Sequence, residues 1–106
     1  MDNIKIIYKI LKALEEAMDY DEFDDRRISA VQLGVSENRL LSILKMMKDR
    51  GLIEGISFDE DMAGHLYPSV GRLRITLAGL EYMSENSAMN RVAKTLKGIK
   101  DAIPGA

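Results

Sequence analysis

The side chains with the type and spacing to do chemistry lie in one amphipathic stretch, residues 36–50, SENRLLSILKMMKDR. Placed about 100° apart around a helix, Leu40, Leu41, Ile43, Leu44 and Met47 share one arc, and Asn38, Arg39, Ser42, Lys45, Met46 and Asp49 lie opposite. The apolar arc must face a core, so the polar arc faces outward. Its chemistry is hydrogen bonding to base edges: arginine suits guanine bidentately and asparagine suits adenine, each worth about 1–3 kcal/mol of discrimination. Asn38, Arg39, Ser42 and Lys45 are therefore the candidate base readers. Lys48 and Arg50 follow them. Arg72 and Arg74 alternate with Leu73 and Ile75, which puts both guanidiniums on one face of a strand. These four cations are the candidate phosphate contacts. The plain alternative is an ordinary solvated surface, and Glu37, Asp49, Asp59, Glu60 and Asp61 nearby would oppose phosphate.

Catalysis finds no comparable arrangement. His65 is the single histidine and the chain has no cysteine, so a zinc site would lack its usual ligands and thiol chemistry is excluded. Asp59-x-Asp61 followed by Gly64 opens like a calcium loop, but Ala63 and Val70 occupy the fifth and twelfth positions, where ligands are required. Asp19-x-Asp21 leads to Phe23 and lacks the glycine. No glycine-rich phosphate loop occurs. The expectation is a protein without catalytic residues, metal or cofactor, which acts by binding.

The elements that must position these residues can be read in order. Ile4, Ile7, Tyr8, Leu11, Leu14 and Met18 recur at helical spacing over 3–19, and Ile6, Ile10 and Ala17 broaden the stripe, so this helix needs cover on more than one side. The run DYDEFDD reads as a solvated loop, and Arg26-Arg27-Ile28 as a short edge strand or an extended entry. Ser29 is an N-cap for a short helix ending at Gly34, and Ser36 caps the next, which ends at Gly51. Two helices joined by a Gly34-Val35 turn make a helix-turn-helix pattern. LIEGISF then suits a strand, DEDMAGHLYPSVG a loop, and RLRIT a returning strand. Thr76 caps a helix that buries Leu77, Leu80 and Met83. After a turn at Asn86-Ser87, a last helix over about 88–102 carries Met89, Val92, Leu96, Ile99 and Ile103 on one face, with Pro104-Gly105 as its stop.

This order predicts a mainly α fold with a small β-hairpin, a winged helix-turn-helix with added C-terminal helices. It predicts one domain over 1–106, with a core of about 1–86. The last apolar stripe has two readings, packing against the first helix within the chain or pairing with a second copy as a homodimer.

Length and charge set the outer limits. With 106 residues, 46% hydrophobic and 30% charged, the chain is of ordinary globular composition for one core. Regular charges in the first helix argue against a signal peptide, and no stretch has bilayer-spanning length; a cytoplasmic location and no membrane partner are expected. The net charge is −2, which disfavours DNA unless the cations cluster. They do cluster. Residues 1–27 carry −3, 36–50 carry +2, 51–71 carry −4 and 87–106 carry +3.

The segments GVSENRL (34–40), HLYPSVG (65–71), ITLAGLEYMSEN (75–86) and KTLKGIKDAIPG (94–105), together with KIIYKILKALEE (5–16), resemble the YjcQ family of small bacterial and prophage proteins. The likeness spans nearly the whole chain. It implies a winged-helix fold and a presumed DNA-binding role, such as a small prophage-type transcriptional regulator, and transfers no functional residues. The expected partner is double-stranded DNA, with helix 36–50 in the major groove. The competing expectation is a non-catalytic protein–protein interaction module whose acidic 19–25 and 59–61 segments face a basic partner, with no small-molecule substrate in either case.

Overall fold

The computed structural model describes residues 3–101, and for Ser87 and 97–101 it describes the backbone alone. The chain is mainly helical with one two-stranded antiparallel hairpin, in the order α1 (Asn3–Glu16), α2 (Ala30–Leu33), α3 (Glu37–Asp49), β1 (Ile53–Glu60), β2 (Leu66–Ile75), α4 (Leu77–Glu85) and α5 (Ser87–Asp101). No helix among the described residues is long and apolar enough to cross a membrane.

The caps form where serine and threonine stand before the helices. Ser29 Oγ accepts from the Gln32 amide, Ser36 Oγ from the Arg39 amide and Thr76 Oγ1 from the Gly79 amide, each satisfying an amide that has no partner within its helix. Gly34 closes α2 with a φ of 71°, a left-handed conformation that costs glycine little. This sharp turn sets α3 directly after α2.

α1 is the central element. It touches α3, α4, α5 and β2, which is why its apolar stripe is so broad. Ile6, Ile10, Leu11 and Leu14 of α1 are buried with Ile43 and Met47 of α3 and Met89 of α5. The α-helix stops at Glu16 and continues as a 3-10 turn, Ala17–Asp19, that leaves Met18 exposed rather than in the core stripe.

Three further expectations are corrected. Arg26, Arg27 and Ile28 are not extended but form a 3-10 turn, Asp25–Ile28. Asp24 imposes it by accepting from the Arg26 amide while its two oxygens hold the Arg26 guanidinium at 2.9 and 3.1 Å. The stretch 59–71 is mostly strand, since Phe58, Asp59 and Glu60 pair with Pro68, Tyr67 and Leu66. Only 61–65 turns. Pro68 is tolerated because each strand of a two-stranded sheet keeps an unpaired edge. Leu77 is 71% exposed. The face of α4 that meets the rest of the chain is centred on Gly79, Leu80, Tyr82 and Met83, and at 100° per residue Leu77 falls opposite that arc.

The hairpin is irregular between Glu54 and Ile56. Gly55 there has a φ of 87°, and an added Cβ would run into the Arg72 carbonyl. The hairpin base is tied to α4 by the Thr76 amide, which donates to the Leu52 carbonyl at 3.1 Å, and by the Thr76 hydroxyl, which donates to the Gly51 carbonyl at 2.5 Å.

Candidate nucleic-acid interface

The arc expected to turn inward on α3 does so: Leu40, Ile43, Leu44 and Met47 are buried and Leu41 is half-buried. Asn38, Arg39, Ser42, Met46 and Asp49 are exposed, and Lys45 is half-buried. Asn38, Ser42, Lys45 and Asp49 run down the middle of the outer face at spacings of four, three and four. Arg39 lies to one side of this row and Lys48 to the other.

Tertiary packing adds partners that change what these side chains offer. Arg39 Nη1 donates to Asn3 Oδ1 at 2.8 Å. This contact joins residues 36 positions apart and directs the guanidinium toward the start of α1. Its charge is untouched, since asparagine is neutral. Lys45 is different. Its Nζ donates to Asp49 Oδ2 at 2.7 Å, and that hydrogen bond raises the lysine pKa above its ordinary value, with the Asp49 charge and, more weakly, Glu60 of the hairpin acting the same way. The same bond lowers the Asp49 carboxyl. The cation in the centre of the face is thus largely cancelled within the chain.

On the hairpin, Leu73 and Ile75 turn to the core while Arg72 and Arg74 are exposed, as strand alternation requires. Arg74 stands opposite Glu54 and reaches its Oε1 at 3.3 Å. Lys48, Arg50 and Arg72 have no ion-pair partner among the described residues. Beyond this base the hairpin offers nothing to phosphate: 55–71 contains no lysine or arginine.

The hairpin tip is organised by Asp61. Its Oδ1 accepts from the amides of Ala63 and His65 at 3.0 and 2.8 Å, and its Oδ2 lies 3.0 Å from both His65 Nδ1 and the Tyr67 hydroxyl, which donates to it. His65 therefore shapes a turn. No group of three or more metal-ligating side chains occurs among the described residues.

The five residues weighed as a dimer face divide. Met89 and Val92 are buried within the chain, on a helix that touches α1 and α4. Leu96 is half-buried, in a shallow cleft it shares with Tyr8, Ala13 and Leu33. The side chain of Ile99, and Ile103 altogether, lie outside the described residues.

A family model described as YjcQ protein matches residues 8–102. "Uncharacterized protein YjcQ" of Bacillus subtilis (strain 168) is 31% identical over 103 residues, covering 97% of this chain and 99% of that one. No solved structure matches the chain.

Proposed function

The chain belongs to the YjcQ family, and we propose that it is a winged-helix protein that binds double-stranded DNA with α3 as its reading helix, as a small transcriptional regulator of prophage type does. One observation carries the reading. A helix set by a tight glycine turn presents Asn38, Arg39 and Ser42 from its first turns to solvent, the part of a recognition helix that reaches base edges. In this reading Asn38, Arg39, Ser42 and Lys45 face the bases, while Lys48, Arg50 and Arg72 meet phosphates. Arg74 and Lys45 must exchange their intramolecular carboxylates for DNA. The hairpin contributes through its base, because its tip is acidic.

Titration of mixed-sequence duplex at several salt concentrations tests it. Affinity is expected to fall with a log–log slope of about −3 to −4, from roughly four phosphates neutralised at −0.9 each. Lys48→Ala together with Arg72→Ala is expected to flatten that slope by about two. Absence of binding at low salt with protein at tens of micromolar, roughly the weak end of non-specific binding, would remove the proposal.

A second reading rests on the acidic segments and on the outer half of the hairpin, where Asp59, Glu60 and Asp61 stand without a basic residue among 55–71. It makes the chain a protein-interaction module for a basic partner.

A further inference from the structure

We propose that the groove between the 17–29 segment and the base of the hairpin docks a basic amphipathic helix of a partner protein. The groove has a volume of about 1170 Å³, room for roughly two turns of a helix some 10 Å across. Leu14, Phe23, Ile28, Leu44, Ile56 and Leu73 form its apolar floor. Met18, Tyr20 and Val70 stand at its mouth and are 65%, 71% and 61% exposed. Exposed apolar side chains scattered singly are ordinary, but several around one concave surface mark a binding site.

Charge selects the occupant. Asp21, Glu22, Asp25 and Glu54 line the groove with Arg26, Arg72 and Arg74. Arg26 is already held by Asp24 and Arg74 by Glu54. Asp21, Glu22 and Asp25 have no ion-pair partner among the described residues, and Arg72 is the one guanidinium left to oppose them. Three unpaired carboxylates beside an apolar floor repel an anionic ligand, and they fit a helix that lays its i, i+3, i+4 and i+7 apolar residues down and points its lysines at the rim. None of Asn38, Arg39, Ser42 or Lys45 lines the groove, but Arg72 and Arg74 do, so a docked helix and DNA phosphates would compete at the hairpin base while the base-reading face stays separate.

The test uses the full chain and a fluorescent synthetic Lys/Leu peptide with helical amphipathic spacing, beside a scrambled peptide of the same composition. The amphipathic peptide is expected to bind with a Kd of roughly tens of micromolar, about 6 kcal/mol, and the scrambled one at least about tenfold more weakly. The double variant Asp21→Lys, Glu22→Lys and the single variant Val70→Asp, all at exposed positions, are each expected to weaken binding about tenfold with unchanged thermal melting. Asn38→Ala with Arg39→Ala is expected to leave peptide binding intact while it weakens DNA binding, which separates failure of one proposal from failure of the other. Equal binding of the scrambled peptide, parental affinity in the groove variants, or no peptide binding at all would overturn the docking site. A dimeric parent whose mass halves in Val70→Asp would also overturn it, because a second copy would then be the occupant.

Discussion

At the scale of single residues, the charge a side chain carries in sequence differs from the charge it presents. Lys45 lies on the outer face, as its place in the helix requires, but Asp49 one turn later holds its ammonium. The pair is open to solvent, so its worth is small. Asp49→Asn is accordingly expected to raise duplex affinity about twofold to fivefold, by freeing Lys45 and removing a negative charge from the face; an unchanged or lower affinity in the same titration would show that Lys45 does not meet DNA. Asp61 supports a pH prediction. The His65 amide, then the His65 ring, the Tyr67 hydroxyl and the Ala63 amide hold its carboxyl below the ordinary carboxylate value. A depressed carboxyl stabilises the folded form above its unfolded pKa, and the effect fades as pH falls through the folded value. The hairpin tip is therefore expected to stay closed at neutral pH and to loosen only below the usual carboxylate range. Hydrogen exchange at the Ala63 and His65 amides, corrected for intrinsic rate, should show protection lost on that acid side and absent throughout in Asp61→Asn.

At the scale of elements, the caps and the hairpin base decide stability. Ser36→Ala removes the acceptor for the Arg39 amide and is expected to cost about 1 kcal/mol in denaturant unfolding. Thr76→Ala is expected to cost more than Ser36→Ala, because Thr76 Oγ1 both caps Gly79 and donates to the Gly51 carbonyl; Thr76→Ser should recover most of the difference. These serines and threonines were legible in advance because capping is local, decided within three residues. Arg26-Arg27-Ile28 turns where an extended segment is expected for a related reason: Asp24 looks like one more acid in a solvated run, yet it stands where a cap stands. The hairpin length is not legible because turn-forming residues of low strand propensity fill 59–71, and the backbone pairing that carries them into the ladder depends on how β1 and β2 meet.

At the scale of the whole molecule, α1 sits where the helical elements and β2 converge, and α5 completes its cover. Met89 is fully buried although it lies in the last helix. Met89→Ala is expected to destabilise by about 2–5 kcal/mol, lowering the melting temperature by roughly 10 °C or more for a domain of this size. A chain cut after Asn86 should aggregate or lose its cooperative transition; a soluble, cooperatively folding monomer from that cut would mean that α5 is an accessory rather than part of the core.

The sequence by itself determined the main helices, the caps at Ser29, Ser36 and Thr76, the inward arc of α3 and the alternation of Arg72 and Arg74 with Leu73 and Ile75. All of these follow from periodicity and hydrogen bonding within a few residues. Only the tertiary structure decided that Arg39 meets Asn3, that Arg74 meets Glu54, that Leu77 stays outside, and that the acidic 19–25 run forms one wall of an apolar groove. Those outcomes depend on which elements meet and in what register, and such meetings are set by burial summed over the whole chain rather than by any local stretch of it.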